Sequence, residues 1–151
     1  MERPWLKFYE PHVPPNIEYP DKTLVGCLED TARQFPDNTA IIFFDNKMTY
    51  RELLTAVNRF ARALQDLGVK KGDRVALFMP NIPQYVIGYY GALKAGAIVV
   101  PCNPLYVARE LEHQVNDSGS ETIVVMSKFY SIVERIREHT GLTRVIVTNV
   151  K

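Results

Sequence analysis

Apolar residues in the middle of the chain recur at helical spacing and then run together without interruption. A helix is predicted over 81–94, with Asn81 as its N-terminal cap and Pro83 in its first turn. Four apolar side chains are expected on one face of this helix: Ile82, Val86, Tyr89 and Leu93. Gly96 ends the helix, and the run 97–100 is apolar at every position, which is typical of a strand covered on both faces. A helix that leads into a buried strand predicts a parallel sheet.

The same patterns predict four further helices and four further strands. The helices are expected at 24–35, 50–67, 108–117 and 129–139. The strands are expected at 39–44, 74–79, 122–126 and 144–148. Strands and helices alternate from Arg74 onward with short connections. We therefore expect a doubly wound α/β fold, with a mostly parallel sheet and helices on both faces.

Capping residues define the predicted helix over 50–67. Thr49 and Glu52 have the spacing of a capping box, Met48 and Leu53 stand at the staple positions, and Gly68 suits the C-terminal cap. The side chains expected to face inward on the first two helices are Leu24, Leu28, Ala32 and Phe35, then Leu53, Val57, Phe60, Leu64 and Leu67.

The first 20 residues have a different composition from the rest, because prolines alternate with aromatic side chains. The prolines are Pro4, Pro11, Pro14, Pro15 and Pro20. Such a segment predicts an extended arm over 1–20 with no helix, followed by an α/β domain over 21–151. Its aromatic side chains need a surface to cover. The arm's own domain, a second subunit and a membrane surface are the three alternatives.

Composition narrows the classes of function. The chain has 151 residues, 46% of them hydrophobic, which is enough for one domain with a core. Its net charge of +1 comes without a basic stripe, which argues against nucleic-acid binding. No apolar run approaches the roughly 20 residues of a membrane span, and the N-terminus lacks the apolar core of a secretory signal. We expect a cytoplasmic protein, with peripheral membrane contact as an alternative.

Candidate ligand positions lie after the strands, because open parallel sheets bind ligands beyond their carboxyl ends. Three dipeptides are predicted there: Pro80-Asn81, Asn103-Pro104 and Ser127-Lys128. None carries G-x-G-x-x-G or G-x-x-x-x-G-K-[ST], so a dinucleotide or P-loop site is unsupported. Gly88 and Gly91 are expected to allow close helix packing rather than phosphate approach.

Cysteine and histidine patterns do not indicate a catalytic or metal site. Cys27 and Cys102 lack metal-ligand spacing, and we expect both to be reduced core residues. Glu110 and His113 have the E-x-x-H spacing of a carboxylate-bridged metal site, but matching ligands from other helices are missing. A solvated helix surface is the favoured interpretation of that pair.

Several stretches together are similar to one enzyme family. They are PWLKFYEPHVP, MTYREL, GDRVA, MPNIPQY, YYGALKAGAIVVPCNPLY and ARELEHQVNDSG. In combination they resemble the N-terminal part of long-chain fatty-acid–CoA ligases nearly from end to end. Residues 48–53 and 93–104 resemble the first two core motifs of the wider acyl-adenylating superfamily. Ala108 departs from the pattern, since many relatives have proline there.

The resemblance implies an enzyme that joins a fatty acid to ATP as an acyl-adenylate, releases pyrophosphate and passes the acyl group to coenzyme A. Magnesium is the implied metal. The resemblance places the family's phosphate loop, magnesium-binding pair, ribose-binding Asp and catalytic Lys beyond Lys151. We therefore assign no catalytic, cofactor-binding or metal-binding residue to this chain. We expect it to be a truncated N-terminal part that is structural and inactive by itself.

Two other interpretations remain open at this point. One is a free-standing α/β binding or interaction module, because a fold does not determine a function. The other is part of a different acyl-adenylating enzyme, such as an aryl-CoA ligase or a luciferase-like protein. A homodimer formed through the arm, by way of Trp5, Phe8 and Tyr9, is a further expectation.

Overall fold

The computed structural model describes residues 3–150. The helices are α1 (Leu24–Gln34), α2 (Tyr50–Asp66), α3 (Pro83–Lys94), α4 (Ala108–Ser118) and α5 (Tyr130–Ile136). The strands are β1 (Thr39–Phe43), β2 (Asn46–Thr49), β3 (Arg74–Phe78), β4 (Ile98–Cys102), β5 (Thr122–Met126) and β6 (Arg144–Thr148). Short 3-10 helices occupy Pro4–Phe8, Ser127–Phe129 and Arg137–His139.

Four strands form a parallel sheet in the order β4-β3-β5-β6. The predicted doubly wound α/β fold is confirmed. β1 does not join this sheet, and pairs instead with β2 in an antiparallel hairpin. The strand β2 was missed, because Asn46–Thr49 is short and half polar and shows no clear alternation.

Side-chain alternation along β3 divides the core into two layers. Val75 and Leu77 point to the layer that holds α2 and α3, and Ala76 and Phe78 point to the layer that holds α4 and α5. All four side chains are fully buried. The predicted helices on both faces of the sheet are confirmed.

The expectation that 97–100 is a strand buried on both sides is wrong. β4 lies at one edge of the four-stranded sheet, and Ile98 is 52% exposed. Pro101 belongs to this strand and has no N–H to donate to a further neighbour. Proline is tolerated in a strand at such an edge, and this residue was the sequence signal for edge placement.

Local capping chemistry sets the helix boundaries, with one correction. Glu52 accepts a hydrogen bond from the N–H of Thr49 at 2.8 Å, so the predicted capping box of α2 is confirmed. Gly68 has φ of +84°, as a left-handed C-terminal cap requires. The N-cap of α3 is Ile82 rather than Asn81. Pro83 explains the shift, because a proline forces the preceding residue into the extended conformation that an N-cap adopts.

Some of the residues predicted to face inward at the ends of helices are exposed instead. Leu24, Phe35 and Leu67 are more than half exposed, whereas Leu28 and Ala32 are buried. The side chains of α1 pack against a short stretch of α2 and α3, so residues at its ends extend past the contact. The face proposed for α3 is divided as well. Val86 packs with α1 and α2, whereas Tyr89 packs with the layer on the sheet.

Two glycines let α3 approach its neighbours closely. A Cβ on Gly91 would lie 2.6 Å from Cδ1 of Phe60 on α2, and a Cβ on Gly88 would lie 3.3 Å from Cδ2 of Leu77 on β3. The packing role predicted for both glycines is confirmed.

Two arginines at the amino ends of strands bind the C-termini of helices on opposite faces of the sheet. Arg74 donates to the carbonyl oxygens of Ser118 at 3.0 Å and Gly119 at 2.8 Å, at the end of α4. Arg144 donates to the carbonyl of Leu67 at 2.8 Å, at the end of α2. These carbonyls have no intrahelical partner, and a cation there also complements the helix dipole.

The N-terminal arm is neither fully extended nor packed on the domain. Pro4–Phe8 form a 3-10 helix, so the prediction of no helix is wrong there. The reason is that Pro4 stands at the first helical position, where its fixed φ fits and its missing N–H has no role. Phe8 is 78% exposed and Tyr19 is 84% exposed, so the arm's aromatics do not cover the arm's own domain. The boundary at residue 21 stays a prediction.

None of the helices within residues 3–150 combines the length and the apolar character that crossing a membrane requires.

The two cysteines are both free thiols, but they differ in environment. Cys102 is buried, as expected, and burial raises the pKa of its thiol to about 12. The expectation that Cys27 is a core residue is wrong, because it is exposed. The buried positions of α1 are Leu28 and Ala32, and Cys27 is rotated by about 100° from Leu28 around the helix axis.

Replacing Gly91 with alanine tests the close packing of α2 and α3. Overpacking a tight contact costs about 1–3 kcal/mol, which opposes the gain of about 1 kcal/mol that alanine brings to a helix interior. We expect Gly91→Ala to lower the free energy of unfolding, measured by urea denaturation. The control is Gly141→Ala, because a Cβ there meets no atom within 4 Å. A Gly91→Ala protein as stable as wild type would contradict the packing role.

The capping box predicts a pH-dependent contribution to stability. The hydrogen bonds from the N–H and hydroxyl of Thr49 lower the pKa of Glu52 below its ordinary value of 4.5. Because the folded-state pKa is the lower one, this contribution is complete above the ordinary value and is lost as the pH falls through the folded-state value. We expect Glu52→Ala to be less stable than wild type at neutral pH, and the two unfolding curves to converge on acidification. The control is Glu134→Ala, at an exposed position of α5, which should leave the stability at neutral pH close to that of wild type.

The cysteine environments predict selective thiol labelling. At pH 8 we expect an aromatic disulfide reagent to modify Cys27 rapidly and Cys102 only after unfolding in urea, because the buried thiol is inaccessible and fully protonated. A Cys27→Ser variant should show no rapid phase. Rapid modification in that variant would contradict the burial of Cys102.

Candidate functional site

The strand order places the expected ligand crevice between β3 and β5. From β3 the chain passes to β4 on one side, and from β4 it returns to β5 on the other side. Open α/β sheets bind ligands beyond the carboxyl ends of the strands at such a reversal. Pro80-Asn81 and Ser127-Lys128 follow these two strands, whereas Asn103-Pro104 follows the edge strand β4.

Turns and aromatic packing, rather than a phosphate loop, occupy these strand ends. The side-chain oxygen of Asn103 accepts from the N–H of Leu105 at 3.0 Å, which forms a local turn. On the side of the sheet that holds α4 and α5, the rings of Phe78 and Phe129 have centroids 5.4 Å apart. The residues predicted at these strand ends therefore form turns and aromatic contacts at the carboxyl end of the sheet. They form no cluster of reactive side chains.

An apolar hollow lies beside the carboxyl end of β6, between this strand and α3. Its volume is about 240 Å³. The lining residues are Phe60, Gln84, Ile87, Gly88, Val124, Ile146, Val147 and Thr148. A second hollow of about 330 Å³ adjoins it and is lined partly by the β1–β2 hairpin. The side chain of Gln84 lines both hollows.

Gln84 is a polar residue that lines both hollows. Its side-chain nitrogen donates to the carbonyl of Asn149 at 3.0 Å, which fixes the orientation of the amide. Its side-chain oxygen Oε1 is buried and has no hydrogen-bond partner among residues 3–150. A buried acceptor without a donor is unfavourable, so this position suits a water molecule or a ligand that donates a hydrogen bond.

Sequence patterns did not identify Gln84. A glutamine in the first turn of a helix is common, and its contact with Asn149 spans 65 residues along the chain. The only sequence signal was its place just after the end of β3, where ligands of open sheets are expected.

The Glu110 and His113 pair lies on the outer side of α4. One carboxylate oxygen of Glu110 accepts from the N–H of Val107 at 3.0 Å, so Glu110 caps the start of its own helix. His113 is exposed and lines an open hollow together with Arg109 and Asp117. Over residues 3–150, no three His, Cys, Asp or Glu side chains are grouped so that they could hold a metal ion.

Solved acyl-CoA ligase structures share this fold. A long-chain-fatty-acid–CoA ligase from Archaeoglobus fulgidus superposes with a TM-score of 0.83 at 34% identity, over 89% of this chain and 29% of that chain. An anthranilate CoA ligase in complex with anthranoyl-AMP superposes with a TM-score of 0.79 at 30% identity, over 82% of this chain and 24% of that chain.

Curated sequences give a similar result. The long-chain-fatty-acid–CoA ligase of Bacillus subtilis (strain 168) is 41% identical over 150 residues, which is 99% of this chain and 27% of the relative. The chain therefore spans about a quarter of the length of this relative. The family model described as "AMP-binding enzyme" matches residues 28–150. That match covers most of the chain, and the chain belongs to the AMP-binding enzyme family.

Proposed function

We propose that this chain is the N-terminal part of an ATP-dependent acid–thiol ligase. The complete enzyme converts a fatty acid and ATP into acyl-AMP and pyrophosphate, and then transfers the acyl group to the thiol of coenzyme A. The observation that carries this proposal is the 41% identity to a long-chain-fatty-acid–CoA ligase over 99% of the chain. The similarity to the anthranilate CoA ligase is lower and covers less of the chain.

The described residues do not fit the nucleotide or a magnesium ion. The glycines that look most like a phosphate loop, Gly88 and Gly91, meet Leu77 and Phe60 in the core, and Gly96 takes a left-handed conformation at the end of α3. The strand ends at the crevice carry turns and aromatic rings. We therefore assign no catalytic, ATP-binding, coenzyme A-binding or magnesium-binding role to a residue of this chain.

The proposed contribution of the chain is a scaffold that forms one wall of the fatty-acid cavity. Two adjoining hollows at the carboxyl end of the sheet, both lined mainly by apolar side chains, support this role. An apolar wall can bind an acyl chain but supplies no group that stabilises a charged transition state. Peripheral membrane contact has no support beyond the exposed aromatics of the arm.

An exchange assay tests the proposal. We expect the 151-residue chain to catalyse no exchange of pyrophosphate into ATP, with palmitate or benzoate as the acid, because its sequence has no glycine-rich phosphate-binding motif. The product of the complete gene, read past Lys151, should catalyse exchange that depends on palmitate.

Three results would contradict parts of this proposal. Exchange by the 151-residue chain above a no-enzyme control would refute the purely structural role. A preference of the complete product for benzoate would favour an aryl-CoA ligase. A stop codon directly after Lys151 would favour a free-standing binding module.

A further inference from the structure

The β1–β2 hairpin exposes apolar side chains on the face that points away from the domain. Ile41 and Phe43 of β1 pack on the inner side, against the core residues of the helices. Ile42 lies between them in the strand, points outward and is 66% exposed. Phe44 follows in the turn and is 80% exposed. Sheets usually have about four to six strands, so a two-stranded sheet with an apolar outer face is unusual.

The turn of this hairpin holds a residue that its backbone conformation disfavours. Phe44 and Asp45 connect the paired residues Phe43 and Asn46. Phe44 has φ of +50°, and within residues 3–150 it is the only residue other than glycine with a positive φ. Glycine, asparagine and aspartate are the usual residues at such a position, because a bulky side chain is strained there. Strain of this kind persists where other contacts compensate for it.

The contact between Phe44 and its neighbour Phe43 does not compensate for this strain. The two rings meet edge to face, with centroids 4.6 Å apart. This contact covers part of one ring, and most of the apolar surface of Phe44 stays in water. A polar turn residue would avoid both the strain and the exposure. Phe44 therefore fits an apolar contact that residues 3–150 do not supply.

The last described residues lie beside this hairpin. Asn149 and Val150 line the hollow of about 330 Å³ together with Ile41 and Phe43. The side-chain amide of Gln84 donates to the carbonyl of Asn149 and so fixes the path of the chain after β6. A few residues of extended chain, at about 3.3 Å each, can pass around a two-stranded hairpin. A segment tethered here has a high effective concentration at the hairpin.

We propose that the part of the complete protein that follows Lys151 packs on the outer face of the β1–β2 hairpin and covers Ile42 and Phe44. This inference rests on the proposed function, in which the chain is the N-terminal part of a longer enzyme. The chain spans 27% of the Bacillus subtilis relative, so most of such a protein is available for this contact.

The neighbours of Ile42 define the chemistry of the covering segment. Lys47 is paired with Ile42 across the hairpin and is exposed on the same outer face. We therefore expect apolar side chains against Ile42 and Phe44, with a carboxylate or a backbone carbonyl beside Lys47. The hollow on the inner face stays available to an acyl chain, because the covering segment lies on the opposite side of the hairpin.

Thiol labelling tests the proposal on the complete gene product. Ile42→Cys is introduced in a Cys27→Ser background, both in the complete product and in the 151-residue chain. We expect an aromatic disulfide reagent to modify this thiol about tenfold or more slowly in the complete product. Glu134→Cys is the matched control, at an exposed position of α5 on the other face of the sheet, and should react equally fast in both proteins.

The labelling outcomes separate this contact from other partners. Equal labelling of Ile42→Cys in both proteins overturns the proposal. Protection in the 151-residue chain that rises with its concentration overturns it in favour of a second copy, and protection that requires phospholipid vesicles overturns it in favour of a membrane surface. If circular dichroism shows that the 151-residue chain is unfolded, the two variants are compared within the complete product, where Ile42→Cys should react about tenfold or more slowly than Glu134→Cys.

The exchange assay distinguishes this inference from the proposed function. A complete product that shows palmitate-dependent exchange and rapid labelling of Ile42→Cys overturns the inference alone. Protection of Ile42→Cys in a product without such exchange supports the contact and counts against the proposed reaction.

Phe44→Asn gives an independent measurement, because it relieves the backbone strain and removes the proposed contact. We expect the 151-residue chain to keep or raise its urea midpoint with this substitution, and the complete product to lose stability. Asp45→Asn changes the same turn without removing an apolar side chain, and should shift the midpoint by a similar amount in both proteins. Equal shifts from Phe44→Asn in the two proteins would contradict the contact.

Discussion

The structure depends on the alternation of side chains along β3, which is buried on both faces and lies between β4 and β5. Its two sets of side chains differ in size and in the helices they contact, with Leu77 against α3 and Phe78 against the side of the sheet that holds α5. A shift of one residue would exchange the two sets. Leu77 would lose the space that Gly88 leaves for it, and Phe78 would lose its neighbour Phe129. The register of this strand therefore sets the positions of the helices on both sides.

Hydrogen bonds at the amino end of the sheet hold the helices in that arrangement. Arg74 and Arg144 each begin a strand, and each binds the end of a helix that packs on a different face. The two contacts join residues far apart in sequence, so they link the layers as well as completing the helix ends. Gly119 contributes to this linkage, since a Cβ there would lie 2.7 Å from the Arg74 guanidinium.

The same architecture gives structural roles to features that resemble parts of a ligand site. Its glycines serve packing and capping, and its strand ends form turns or support aromatic rings. The carboxyl end of the sheet also presents apolar surface, and within residues 3–150 the buried side-chain oxygen of Gln84 beside it has no hydrogen-bond partner. Such a surface can support a substrate or a neighbouring segment.

Local chemistry in the sequence was sufficient to predict most helices and strands of this protein, because capping and periodicity act over a few residues. Thr49 with Glu52, the mostly apolar run from Thr122 to Met126 and the glycine at position 96 each predicted a feature that the structure has. The layer structure also followed, since strands that alternate with helices favour a parallel sheet. Only the tertiary structure decided which apolar residues are covered. Ile98 and Leu67 match the pattern of buried residues and are exposed, because coverage depends on neighbours distant in sequence. The contact of Gln84 with Asn149 is hidden in the sequence for the same reason: it arises from strand order, which no local pattern contains.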